Sequence, residues 1–271
     1  MLLRKLACIA FLTLLPGTAL ASAWTRAKGT GYAKIWDRSL IGKQAYIQGR
    51  ETAALPSTYQ DHQLGLYGEW GVTDDLTLVL NATPFGVARY AGNTDPYIGG
   101  LVLAGRYQLV RGPMMVAGEL HAGGRPSKSE DTGTAVVDGR ELIINPVVGT
   151  LLGGAAVHVG TGFTWGWLTG HAGARFHSAE ALHPALYAGL QLGWHALKSL
   201  DLALHVNLWH ALGAIEPIQV LGSGQTRYLG FGLGLTWWMT QRVGLHAGLD
   251  GVAYAYANAA TPSLLLGVEL R

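Results

Sequence analysis

Cysteine is all but missing from this 271-residue chain, with Cys8 the only one. It falls among the first two dozen residues, so the remainder has no disulfide and no thiol chemistry open to it. Charge is sparse too, at 13% Asp, Glu, Lys and Arg together. Setting aside Arg4 and Lys5, seventeen basic residues face seventeen acidic ones, scattered and not gathered into a stripe. That balance gives no electrostatic case for a nucleic-acid partner. The apolar run near the start of the chain is only about ten residues, short of the roughly 20 a membrane helix needs. No linker rich in Pro, Ser or charge divides the chain, and the 39 glycines follow no Gly-X-Y period. One domain is expected, and collagen-like or low-complexity structure is excluded.

The first residues read as an export signal. Arg4 and Lys5 precede an apolar run from Leu6 to Leu15, then Pro16, and Ala19, Ala21 and Ala23 supply Ala-x-Ala cleavage sites. Residues 1–23 are expected to be a signal peptide, with the mature chain starting at Ser22 or Trp24 and residues 24–271 forming a single barrel domain. No lipoprotein-type pattern precedes Cys8, so lipidation is not expected there.

What the sequence has in quantity is alternation. Between Gln63 and Val72, Leu64, Leu66, Trp70 and Val72 share one face while Gln63, Tyr67 and Glu69 share the other. Tyr107, Trp194 and Trp237 hold the place of Trp70 in three later stretches. A soluble sheet has no reason to hold bulky aromatics at one height on its outside, whereas a membrane barrel anchors there at the headgroups. The run Leu229, Phe231, Leu233, Leu235 and Trp237 is too continuous for a solvated surface, which argues against a soluble sandwich. The fold class expected is all-β: a transmembrane antiparallel up-and-down β-barrel of about twelve strands, in the cell outer membrane of a Gram-negative bacterium.

The strands are placed near 29–38, 60–72, 76–89, 97–110, 113–123, 141–160, 166–177, 184–197, 201–212, 226–239, 243–256 and 262–271. Tight turns at 73–75, 111–112, 198–200 and 240–242 then fall on the periplasmic side, and the long connections at 39–59, 124–140 and 213–225 fall outside. Trp70, Tyr107, Trp194 and Trp237 would form one aromatic girdle above the tight turns. A three-residue turn at 240–242 pairs Trp237 with Leu245, Leu233 with Leu249, Thr236 with His246 and Tyr228 with Tyr254. A turn at 73–75 pairs Trp70 with Leu78 and Tyr67 with Asn81, so apolar meets apolar and polar meets polar. Residues 142–170 carry no formal charge, yet seven glycines, Pro146 and a run of β-branched residues favour a hairpin turning near 161–165 over a helix. The last strand is expected to close the barrel against the first, from Tyr32 to Asp37. Outer-membrane barrels usually end in an aromatic; Leu270 and Arg271 stand there instead, weakening the expected assembly signal.

The same register gives the lining. Tyr67, Glu69, Arg106, Glu119, His121, Gln191, His195, His205, Asn207, His246, Asp250 and Tyr254 are expected to point inward, with Gln63, Asn81, Gln108, His171, Arg175, Tyr187, Asp201 and Tyr228. Such a lining either fills a narrow lumen with hydrogen-bonded pairs or leaves a weakly selective passage, and twelve strands allow both. His195 and His205 are placed to pair across the turn at 198–200, where two imidazoles suit a metal or a pH sensor. Neither Cys nor tight carboxylate spacing completes a site, so no metal and no cofactor is expected. An outer-rim hydrolase is the sharper alternative, with His177, Ser178, Glu180 and His183 on one rim and Asp61 and His62 on another. No Gly-x-Ser-x-Gly element appears, His177 and Ser178 point to opposite faces if the strand continues, and no catalytic residue is assigned.

The stretch Ala23-Trp24-Thr25-Arg26-Ala27-Lys28-Gly29-Thr30-Gly31-Tyr32 resembles the start of a broad family of outer-membrane β-barrel transporters associated with aromatic-compound (phenol meta-pathway) degradation. Leu66-Tyr67-Gly68-Glu69-Trp70-Gly71-Val72-Thr73-Asp74 resembles the strand and turn that follow in that family, and the likeness extends loosely through 101–112. The third outer loop departs, with Arg125-Pro126-Ser127-Lys128 where the family tends to have Pro-Thr-Gly. The resemblance implies a passive barrel transporter for small, hydrophobic solutes. The partners expected are outer-membrane lipid, the assembly and insertion machinery, and a small-molecule solute. A structural or adhesive barrel with a filled lumen stays open beside it, as does the rim hydrolase.

Overall fold

A computed structural model describes residues 24–48, 51–126, 131–137, 139–180, 182–213, 219–221, 227–256 and 258–271. The segment 1–23, on which the signal-peptide expectation rests, lies outside the described residues. Among the described residues there is no helix. The strands in chain order are β1 (Gly31–Gln48), β2 (Glu51–Gly71), β3 (Leu76–Tyr90), β4 (Asn93–Tyr97), β5 (Gly100–Val110), β6 (Met115–Arg125), β7 (Gly133–Val137), β8 (Arg140–Ile144), β9 (Thr150–Phe163), β10 (Gly166–His177), β11 (Ala185–Leu197), β12 (Leu200–Ala211), β13 (Gln219–Leu221), β14 (Tyr228–Trp238), β15 (Val243–Ala255), β16 (Asn258–Ala259) and β17 (Ser263–Leu270).

Twelve of these, β1, β2, β3, β5, β6, β9, β10, β11, β12, β14, β15 and β17, pair antiparallel in succession. The ring closes where β17 meets β1, from Ala33 opposite Leu270 to Leu40 opposite Ser263. Closure leaves no unpaired edge, the condition for a sheet to stand in hydrocarbon. Short turns at 72–75, 111–114, 164–165, 198–199 and 239–242 all lie at one end, and the long connections lie at the other.

The pleat separates two surfaces. Along β14, Leu229, Phe231, Leu233, Leu235 and Trp237 are exposed outside while Gly230, Gly232, Gly234, Thr236 and Trp238 are buried. Trp70, Tyr107, Trp194 and Trp237 stand outside near the short-turn end at 54%, 53%, 52% and 50% exposure, so each ring turns about half its surface away from the barrel. Trp237 is opposite Leu245 and Leu233 opposite Leu249, while Trp70 is opposite Leu78 and Tyr67 opposite Asn81, as the sequence predicts. A bulge between Leu229 and Gly230 breaks the register further up, so Tyr254 lies opposite Leu229 and Tyr228 opposite Ala255, not opposite each other.

The long-loop end differs more from expectation. Residues 39–59 are not an open loop: β1 and β2 continue as a paired hairpin from Gly42 opposite Tyr59 up to Gln48 opposite Glu51. β3 and β4 form a second hairpin through Ala91 and Gly92, both with positive φ, the two-residue turn whose twist suits paired strands. The strand expected over 141–160 is two separate pieces. β9 enters the barrel wall, but β8 joins β7 and β13 in a small sheet of its own. Leu142 and Ile144 are fully buried there, in one apolar cluster with Leu40, Leu55, Tyr59, Tyr90, Tyr97, Val137 and Val147. The uncharged run from 142 onward thus serves two burials, a cap core and then the barrel wall, and an apolar periodicity does not tell these apart.

Candidate functional site

The interior polar residues are held in pairs from the short-turn end upward. Glu69 on β2, Arg106 on β5 and Glu119 on β6 face inward at adjacent positions, Arg106 directly opposite Glu119. Arg106 donates through Nη1 to Glu69 at 2.9 Å, and through Nε and Nη2 to Glu119 at 3.0 and 2.8 Å. Tyr67 OH donates to Glu69 at 2.6 Å, and His158 Nε2 lies 3.3 Å from Glu119. Each of these charges is nearly excluded from solvent, so each requires its partner.

A stretch ahead of the first strand completes this network. The Thr25 amide donates to Gln108 at 3.1 Å, the Arg26 amide donates to Thr77 at 2.7 Å, and Arg26 Nε donates to Glu69 at 2.6 Å. The Arg26 guanidinium also lies 4.9 Å from the centre of the Tyr32 ring. Gly71 has no Cβ, and one there would overlap the Ala27 carbonyl oxygen, so glycine is what lets this strap lie against the wall.

Two strands round the ring from Glu69, across β1, Glu269 of β17 meets Lys34 at 3.3 Å, His246 at 3.1 Å and Thr236 at 3.2 Å. Asp201 takes His195 Nδ1 at 2.7 Å and Trp238 Nε1 at 2.8 Å. His205 lies 3.1 Å from Asp250, and Asp61 accepts from Arg38, Gln63 and Tyr97. The expected His195–His205 pair is therefore not formed. The turn is only 198–199 and a bulge lies between His195 and Leu197, which sets His195 opposite Asp201 and His205 opposite Gln191.

Among the described residues, cavities lie at three levels of the interior. One of about 390 Å³ at the long-loop end is lined by Arg38, Asp61, His205, Asn207, Tyr228 and Asp250, among others. One of about 190 Å³ is lined by Tyr67, Arg106, Glu119, His121, Arg125 and Arg175, and one of about 290 Å³ towards the short turns by Tyr67, Glu69, Gln191, Asp201, His246 and Glu269. The first two share Thr83, Gly99 and Arg125 as wall residues, and the last two share Tyr67. Of the twelve interior residues singled out from the sequence, His195 and Tyr254 line none of the three; His195 packs on Trp167 and Tyr254 on Tyr256.

At one rim His62 Nδ1 lies 2.8 Å from Ser39 Oγ, which donates to Asp37 Oδ2 at 2.7 Å, a serine the sequence reading did not place beside that histidine. At the other rim His177 and Ser178 each take a different partner. Ser178 Oγ accepts from the Leu151 amide at 2.9 Å, and His177 Nδ1 lies 3.2 Å from the His183 carbonyl oxygen. Among the described residues no group of three or more His, Cys, Asp or Glu could hold a metal ion.

Compared with solved structures, the chain is most informative at the level of shape. An outer-membrane channel from Pseudomonas putida F1 superposes with a TM-score of 0.67 at 13% identity, over 94% of this chain and 99% of that one. The fold is the twelve-stranded closed antiparallel β-barrel of outer-membrane proteins. The KdgM porin superposes with a TM-score of 0.50 at 5% identity, over 88% of this chain and 98% of that one. No protein-family model matches the sequence, and no curated protein matches it.

Sequence reasoning passed over Arg26, Lys34, Arg38, Trp209, Trp238 and Glu269. Lys34 and Glu269 were legible in principle: they sit opposite each other on the first and last strands, on the face that does not carry Ile35 and Val268. Arg26 precedes any alternating stretch, and no periodicity reports it.

Proposed function

We propose that this protein is a passive channel of the outer membrane, passing small solutes, small hydrophobic molecules among them. The observation that carries the reading is the series of three cavities sharing walls along the interior of a closed barrel. Glu69, Arg106, Glu119, Asp61, Asp250 and Glu269 along the lining are each paired to a neighbour, so few isolated charges stand in the way of a weakly interacting solute. The fold shared with an outer-membrane channel supports the same reading. The likeness of residues 23–32 and 66–74 to transporters linked with aromatic-compound degradation supports a small hydrophobic solute. Its partners are then the surrounding lipid and the insertion machinery that would receive β17 as the closing strand.

The test is electrical. Refolded protein in a planar lipid bilayer is expected to give discrete conductance steps, and proteoliposomes to admit small solutes. A bilayer that stays sealed, with liposomes that admit nothing, would instead mean a filled barrel with a structural or adhesive role.

A further inference from the structure

Two of the interior donors left without acceptors among the described residues lie together on the β10–β12 wall. Tyr187 on β11 lies opposite Gly173 of β10 and opposite Trp209 of β12, and Arg175 stands two residues along from Gly173. A Cβ at residue 173 would sit 2.6 Å from the Tyr187 ring, so the missing side chain is what lets that ring lie against the wall. Trp209 stacks on Tyr187 at 5.9 Å between centroids and 17° between planes. The Arg175 guanidinium covers both rings, 5.5 Å from Tyr187 and 5.3 Å from Trp209. Arg175 also lines the cavity of about 190 Å³ in the middle of the series.

Two N–H groups of this stack are buried with no hydrogen-bond partner among the described residues: Arg175 Nε and Trp209 Nε1. Buried donors are seldom left so, and each calls for an acceptor. The interior carboxylates nearby are engaged elsewhere, Glu119 by Arg106 and His158, Glu69 by Arg26 and Arg106, and Asp250 by His205. The wall therefore offers a cation, two unmet donors and aromatic faces. A neutral apolar solute would meet the rings and leave both donors unmet. A ringless anion would meet the donors and leave the rings unused. A planar carboxylate carrying an aromatic ring answers both.

We propose that Arg175, Tyr187 and Trp209 form a binding site for a small aromatic carboxylate within the lumen. The carboxylate accepts from the Arg175 guanidinium and from Trp209 Nε1, and its ring lies along the Tyr187–Trp209 wall. As a step in transit this deepens the channel reading and rests on it, but the binding itself needs no conduction.

The experiment is a calorimetric titration of sodium benzoate into refolded protein in detergent micelles, with benzyl alcohol as the neutral ring and inorganic phosphate as the ringless anion. Benzoate is expected to bind at least about tenfold more tightly than either. Arg175→Gln is expected to weaken it by at least about tenfold and Trp209→Phe, which keeps the stack and removes the donor, by about fivefold. Heat-modifiable gel mobility checks that each variant is still a barrel; should Arg175→Gln fail to fold, Trp209→Phe decides. Benzyl alcohol or phosphate binding as tightly as benzoate, or benzoate binding that is absent or indifferent to Trp209→Phe, overturns the site. Benzoate binding without conductance would overturn the channel reading and leave the site standing, and conductance without benzoate binding would do the reverse.

Discussion

Arg26 Nε donates to Glu69 Oε2 at 2.6 Å from a stretch of chain that precedes the first strand. The bond draws residues 25–27 onto the inner wall at the short-turn end, with Gln108 and Thr77 as further anchors. Thr25 Oγ1 and the Lys28 amide also bond to Asp74, at 2.7 and 2.9 Å, so the Arg26–Glu69 pair is the charged one among several bonds that hold the strap.

Replacing Arg26 with Ala removes the charge-assisted bond and is expected to loosen the strap by about 2 kcal/mol, roughly a thirtyfold rise in its undocked population. Single-channel conductance should rise and cleavage of the strap by added protease should quicken, with barrel unfolding unchanged. Conductance equal to that of the parent protein would show that the strap does not restrict passage.

Arg106 is the hub of the interior network, and Arg106→Met leaves Glu119 to the His158 and His121 rings and Glu69 to Arg26 and Tyr67. Removing one partner of a buried pair costs about 3–5 kcal/mol, because the remaining charge keeps its desolvation penalty. Urea unfolding in lipid vesicles, followed by tryptophan fluorescence, is expected to show that loss. Adding Glu119→Gln should recover part of it.

The cap is a separate core. Leu142→Ala is expected to open a cavity costing about 2–5 kcal/mol, felt within the cap and not in the barrel wall. Limited proteolysis between β6 and β9 should then quicken while the unfolding midpoint of the barrel holds. A barrel midpoint that falls with it would mean that cap and wall unfold as one.

The barrel wall was legible because its rule is local. Period-two alternation sets a face, and tight turns fix the register, which is why Trp70 with Leu78 and Trp237 with Leu245 could be paired from the chain alone. Features that break the local rule were not. A single extra residue beside Leu229 moved Tyr254 away from Tyr228, and a two-residue turn moved His195 onto Asp201. The cap escaped notice because Leu142 and Ile144 are as apolar as a lipid-facing strand, and what covers them is decided by distant chain such as Tyr59 and Tyr90. The strap and the Arg175 stack depend on side chains meeting across several strands, which spacing along the sequence does not encode.

The account turns on which way β12 presents its side chains, and spin labelling reads that directly. Cys8 is the only cysteine, so single cysteines can be placed in turn at positions 202 to 209 of a variant lacking it, and labelled in lipid vesicles. Oxygen accessibility is expected to peak at Leu202, Leu204, Val206 and Leu208 and to fall at Ala203, His205, Asn207 and Trp209, with a period of two along the strand. A profile without that period, or one in which His205 and Asn207 are the oxygen-rich positions, would contradict it.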